Sequence, residues 1–482
     1  MCDRPNLALC RYTRAFEELT RIKKTRLRKL QCPFTWKNIS ENDLNSVKQD
    51  LHHDEAFVPL MSLTRYLIIS YAQFLKQDYK LADEKIEEAN KLISQFSNSE
   101  KEVVEHILEA TKAHYLMIKE NTDEVDEILK KINNIDDEKY LSTLNVFKAA
   151  LWTHCNDFIN TTEIAIEFAK LSLKYNPEYA ISHYFLAKNL RTLRRLKSCH
   201  TSPDDEEMLH FETAYKLDKN PQYGLFLGQA YKEKRIEYQK KMMKDEEIMM
   251  KKKAKNILTE IHKMNIKCPS INLRLALYFE QNFLLNEAKE CLDYVESVTP
   301  DDSMFLHYKG LYFMKMKNYE EAAEYLKKTY DLNNYGADIG YAQCMRILRK
   351  RFDFVEYFLK MIEKYENIEK CKQKEMHLHV AFTYFNIKRD IREAIKYFLQ
   401  AFEIETFEFN MEKYFYPLED VKANNKHTFG INVYKFLEDN IFPKITDYMK
   451  NNTIKIPEDV IAANEKLKKI CEEYHQHNRH NL

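Results

Sequence analysis

Five alanines, Ala82, Ala165, Ala288, Ala322 and Ala394, each lie inside an amphipathic run that follows another amphipathic run. A small residue at that place lets two antiparallel helices approach closely, and larger apolar residues one turn away fill the groove toward the next pair. A chain with such a ladder is constrained to fold as stacked helical hairpins. Six glycines and eleven prolines in 482 residues leave little punctuation for strands and tight turns. Leu, Lys, Glu, Ala and Met are plentiful and favour helix, so the expected fold class is all-α. The 44% apolar fraction suffices for a buried core.

The register is sharpest at Leu227-Gly228 with Tyr231, at Gly310 with Phe313, Ala322 and Leu326, and at Ala394 with Phe398 and Ala401. This pattern matches the tetratricopeptide consensus, and the expected architecture is a superhelix (an α-solenoid) of about nine helix pairs with extra terminal helices. Pairs are expected near residues 58–95, 101–132, 139–175, 178–218, 271–297, 303–332, 336–364 and 374–404, with one more begun by the Leu227 helix. The partner of that helix is expected only around 251–264, delayed by an insertion. Residues 232–255 hold ten Lys or Arg against five acids and are expected to prolong the helix as a basic ridge. The domain reading is a helix and connection in 1–57, repeats in 58–218 and 219–405, and capping helices in 406–482. A cap is needed because an end repeat without a neighbour exposes its apolar face.

Net charge is zero, so any anion site must be local and not a property of the whole chain. No run approaches the roughly 18 apolar residues of a membrane span, and the first 29 residues are too charged for a signal peptide. The expectation is a cytoplasmic protein with no membrane contact. The ten cysteines are scattered without a Cys-x-x-Cys pair and read as reduced, mostly buried thiols.

Cys32-Pro33-Phe34-Thr35-Trp36, ahead of the first repeat, resembles the Cys-His-Phe-Thr-Trp signature of the interferon-induced proteins with tetratricopeptide repeats, the IFIT family. The stretch from Ser70 through Phe74-Leu75-Lys76 to Leu92 is similar to that family's next segment. The stretch from His377-Leu378-His379 to Glu405 is similar to a later repeat. The resemblance implies an innate antiviral protein that binds single-stranded RNA by its 5′ end, triphosphate or incompletely methylated cap, in a basic channel, blocking translation or replication of foreign RNA. It also implies self-association or assembly with relatives, no cofactor and no catalysis.

Carried over position by position, the resemblance implies the following RNA contacts. A family lysine matches His154, which can meet an anion only when protonated or as a neutral donor. A family arginine falls at Thr192, flanked by Arg191 and Arg194, and another falls at Leu273, beside Arg274. The family's pocket histidine matches His307, with Pro300 and Gly310-Leu311 fixing the register. Polar contacts fall near Val47 and Leu51, where Lys48 and His52 offer the same spacing one step along. Arg346 and Arg349, with Lys350 and Arg351, form a second basic cluster expected to reach the groove.

The residues also carry plainer readings. Tyr66, Phe74, Tyr231, Phe313 and Phe398 occupy packing positions and are expected in the core. His377 and His379 are two apart on a helix and diverge, so no metal site is expected. No Gly-rich phosphate loop, Gly-x-Ser-x-Gly or kinase signature is present, and the chain is expected not to be an enzyme. The alternative function is an adaptor acting through protein partners without a competent 5′-end pocket. His154 in place of lysine and the one-residue offsets at Thr192 and Leu273 motivate it.

Overall fold

The computed structural model describes residues 21–36, 58–119, 121–154, 159–197, 201–406, 409–419, 430–451 and 457–480. Among them the chain is helical, with one isolated antiparallel bridge between Tyr414 and Ile431. A lone helix α1 (Arg21–Lys29) precedes nine consecutive pairs. These are α2 (Pro59–Leu75) with α3 (Tyr79–Lys91), α4 (Asn98–Ile118) with α5 (Thr122–Lys131), and α6 (Glu138–His154) with α7 (Ile159–Tyr175). Then come α8 (Ala180–Lys197) with α9 (Asp205–Leu217), α10 (Pro221–Lys240) with α11 (Lys244–Lys263), and α12 (Pro269–Gln281) with α13 (Leu285–Val298). The last are α14 (Ser303–Lys315) with α15 (Tyr319–Lys327), α16 (Tyr335–Ile347) with α17 (Phe354–Lys364), and α18 (Lys370–Thr383) with α19 (Ile391–Glu403). A short α20 (Val433–Phe436) runs through a π turn into α21 (Phe442–Asn451), and α22 (Glu458–His480) follows. The expected tetratricopeptide solenoid of nine pairs is what the chain forms.

All five ladder alanines are fully buried. The glycines serve the same close approach. A Cβ on Gly228 would lie 2.8 Å from the Leu258 side chain, and one on Gly310 would lie 2.5 Å from Leu326 Cγ. With glycine spent on packing, the turns inside the pairs use other residues at positive φ: Gln77, Met242, Phe283, Lys317, Arg349 and Arg389. Three of these precede an Asx cap, since Asp78, Asn318 and Asp390 accept from the first-turn amides of α3, α15 and α19. Such caps satisfy donors that a helix start leaves open.

One expectation on organisation is refined. The basic stretch 232–255 does not delay the partner helix: α10 ends at Lys240, turns through Lys241–Met243 with Met242 at φ 61°, and α11 starts at Lys244. Both helices of that pair are simply longer. The Cys32–Trp36 signature is a packing plug. Thr35 Oγ1 donates to the Leu30 carbonyl at 2.6 Å, and Phe34 packs among Tyr71, Phe74 and His114. His377 and His379 do diverge, one reaching its own helix at the Gln373 carbonyl and the other the Tyr414 hydroxyl.

Contacts divide the chain into two compact units between Leu275 and Ala276, inside α12. In the C-terminal unit, α22 packs on α19, where Val460, Leu467 and Cys471 share a core with Phe382, Phe398 and Leu437. Among the described residues no helix is long and apolar enough to cross a membrane, and the six cysteines there form no disulfide.

Candidate anion-binding site

In the N-terminal unit, the first helices of successive pairs bring basic side chains onto one buried ring, Phe226 of α10. The Arg191 guanidinium of α8 and the Arg274 guanidinium of α12 each lie 5.4 Å from its centroid. Lys188 Nζ is 6.0 Å from the same centroid. Tyr184 meets the ring edge-on, and Phe211 stacks on it. Helical spacing explains the convergence. Tyr184, Lys188 and Arg191 stand four and three residues apart, so they share one face of α8.

Arg191 is 6% exposed, yet its Nε has no acceptor. It donates from Nη2 to Glu233 Oε1 at 2.8 Å. The other oxygen of Glu233 takes Arg194 Nη2 at 2.6 Å, so this carboxylate bridges two guanidinium groups. Arg194 also grips Glu207 through Nε at 2.8 Å and Nη2 at 3.1 Å, and donates from Nη1 to the Thr201 carbonyl. Burial lowers the Arg191 pKa despite Glu233. The Glu233 carboxyl, which burial would raise, is held below the usual range by Arg191 and Arg194.

His154 closes α6 and donates from Nε2 to the Met61 carbonyl of α2 at 3.1 Å. A carbonyl only accepts, so the proton is on Nε2 and the other ring nitrogen carries a lone pair. Burial, with Lys188 and Arg65 adding to it, pushes the ring down to about 3. His154 is therefore neutral at pH 7 with its donor spent, and the expectation that it meets an anion is corrected. Lys188 supplies the positive charge beside it, its Nζ lying 3.8 Å from Met61 Sδ. Arg194, by contrast with Arg191, is gripped by Glu207, Glu233 and the Thr201 carbonyl. Arg191 and Arg274 lie on the same Phe226 ring. Lys48 and His52 lie outside the described residues.

In the C-terminal unit, His307 of α14 packs against Gly336 of α16, where a Cβ would come within 2.7 Å of the ring. Its Nδ1 is buried without a partner, and burial pushes the imidazole down to about 4. Arg346, near the end of α16, lies close enough to Tyr416 to oppose the rise that burial causes in that phenol. Its Nε is likewise buried without a partner. Arg349 is exposed just beyond the helix end, at φ 51°.

The two glutamates and Phe226 escaped the sequence reading. Glu233 lies in the basic run and reads there as one acid among many cations. Its spacing of seven from Phe226, two helical turns, was the available signal.

The neutral buried histidines make the fold acid-sensitive. His114, His210, His307 and His379 are pushed down to about 4 and His154 to about 3, against 6.5 unfolded, in each case chiefly by burial. Below 6.5 the unfolded chain takes up protons that the folded chain refuses, so their contribution is full above 6.5 and is lost as pH falls toward 4. The melting temperature is expected to drop steadily between pH 7 and pH 4.5. A profile flat over that window would contradict the burial.

No protein-family model and no curated protein sequence match the chain. Solved structures do. A human IFIT1 dimer with PPP-AAAA superposes with a TM-score of 0.57 at 14% identity, covering 94% of this chain and 98% of the other. The fold is that of the IFIT1 structures. An IFIT1 dimer with m7Gppp-AAAA gives a TM-score of 0.56 at 14% identity, covering 93% of this chain and 99% of that one. A monomeric IFIT1 mutant with Gppp-AAAA gives 0.58 at 14% identity, covering 96% and 100%. The tetratricopeptide solenoid expected from the sequence is thus an IFIT-like fold along nearly the whole chain. Among the described residues no group of three or more His, Cys, Asp or Glu could hold a metal ion.

Proposed function

We propose that this protein binds single-stranded RNA by a phosphorylated 5′ end, triphosphate or incompletely methylated cap, at the cationic cluster around Phe226. In this reading it is a cytoplasmic innate-immune effector that withholds foreign RNA from translation or replication. The observation that carries the reading is Arg191, a buried guanidinium with an unsatisfied Nε, lying with Arg274 and Lys188 against one aromatic ring. An arginine fork held in low dielectric suits phosphate oxygens, which accept several charge-assisted hydrogen bonds at once. The IFIT-like fold supports it, since the IFIT1 structures hold triphosphate and capped tetranucleotides. His307 and Arg346 are further candidate contacts of the C-terminal unit. Self-association, or assembly with relatives, belongs to the same reading.

The test is a binding series on one short single-stranded sequence ending in 5′-triphosphate, cap, monophosphate or hydroxyl. Triphosphate or cap RNA is expected to bind more tightly than hydroxyl RNA, with affinity falling as salt rises. Equal or absent binding for all four ends would leave the adaptor reading, which the spent donor of His154 favours.

A further inference from the structure

We propose that Glu233 is a resident anion occupying the phosphate place beside Arg191, and that a ligand enters by displacing it, so that Glu233 sets how much negative charge a ligand must carry. The inference rests on the proposed phosphate-binding role of this site and adds a specificity-determining residue to it.

Three features of the cluster point this way. Glu233 spreads its two oxygens over two guanidinium groups, as a phosphate can, yet leaves Arg191 Nε without an acceptor. A third oxygen is what the cluster lacks, and a terminal phosphate has three. The four side chains also differ in depth. Glu207 is 1% exposed, Arg191 7% and Arg194 11%, whereas Glu233 is 25% exposed and forms the solvent side of the group. Glu207 keeps Arg194 bidentate, so moving Glu233 aside does not leave that arginine alone. Finally, Arg191 and Arg194 hold the Glu233 carboxyl below its usual range, so at neutral pH it is a standing charge of −1.

A competitor must outbid that charge. An internal phosphodiester carries one negative charge and gains little Coulomb energy by replacing a carboxylate of equal charge. A terminal phosphate carries about −1.5 to −2 at pH 7, and a triphosphate more, so both gain. Glu233 would therefore bar the interior of an RNA strand from the arginines and admit its phosphorylated end.

The experiment uses the full chain and its Glu233→Gln and Glu233→Asp variants. They are compared for binding of 5′-triphosphate and 5′-hydroxyl RNA of one sequence, and for thermal shift with inorganic tripolyphosphate. Losing the internal competitor should tighten 5′-hydroxyl RNA about tenfold in Glu233→Gln, roughly one charge-assisted hydrogen bond. The preference for triphosphate should narrow accordingly, and the salt slope should steepen by about 0.7 for each phosphate newly held. Glu233→Asp keeps the charge on a shorter stem and should fall between, and it carries the comparison if Glu233→Gln does not fold. An unchanged triphosphate-to-hydroxyl ratio in both variants would overturn the proposal. The two readings can fail separately. If no RNA binds the wild type but tripolyphosphate raises the melting temperature of Glu233→Gln more than that of wild type, the RNA reading falls and the resident anion stands. Equal shifts would remove the resident anion whatever RNA does.

Discussion

Arg191→Ala is expected to weaken 5′-triphosphate RNA binding by about 30-fold or more, the equivalent of ~2 kcal/mol for truncating one partner of a desolvated charged contact. Binding of 5′-hydroxyl RNA should change far less, so the ratio between the two ends is the quantity to measure. The size of the effect follows from where Arg191 sits. The residue is 6% exposed and its guanidinium lies against Phe226, so its charge is screened little by water or salt. Arg191→Lys should not restore the ratio, because an ammonium lacks the planar fork that meets a ring with one face and phosphate oxygens with its edge. Arg349→Ala should leave both RNAs unaffected, since that residue is exposed past the end of α16. Folding should survive Arg191→Ala, because Glu233 keeps Arg194 as a partner. Equal losses for both RNAs, or none, would remove Arg191 from the site.

How far the sequence could carry this site differs by residue, and the reasons are physical. Helix pairing is written in local periodicity, so the alanine ladder, Gly228 and Gly310 could all be read before any coordinates. Arg191 and Arg274 could be found because a family register put arginines within one residue of them. What stayed hidden depends on partners far along the chain. His154 looks like a donor in sequence, and only the Met61 carbonyl, 93 residues away, shows that its proton is spent. Arg194 looks equivalent to Arg191, and only Glu207 and Glu233 separate a guanidinium gripped by two carboxylates from one whose buried Nε has no acceptor. Charge counting in the run 232–255 hid Glu233 for the same reason. A net basic segment says nothing of which acid turns inward. The signature at Cys32–Trp36 marked the family resemblance, and its place in the fold is a core packed around Phe34.

The ladder itself yields the second large effect, at Gly310. A Gly310→Ala change gains about 1 kcal/mol of helix propensity in an exposed helix, so the sign of the net effect depends on space. Space is lacking. The new Cβ would lie 2.5 Å from Leu326 Cγ, a branch point and not a flexible tip. Leu326 is fully buried and lies against a second glycine as well, since a Cβ on Gly340 would stand 3.2 Å from its Cδ1. One leucine is thus wedged between two glycines of α14 and α16. Overpacking of this kind costs roughly 1–3 kcal/mol, enough to cancel the propensity gain for Ala and to exceed it for a larger residue. Gly310→Val should therefore lower stability by about 3 kcal/mol in denaturant unfolding, β-branching adding to the clash, and Gly310→Ala by less. The decisive measurement is the double-mutant cycle with Leu326→Ala, which alone should cost about 2–5 kcal/mol by leaving a cavity. In that background Gly310→Ala should turn stabilising, since the propensity gain remains and the obstacle is gone. If the two changes simply add, the helices are not held apart by this leucine, and the close approach read from the alanine and glycine pattern is not what sets the spacing of the pair.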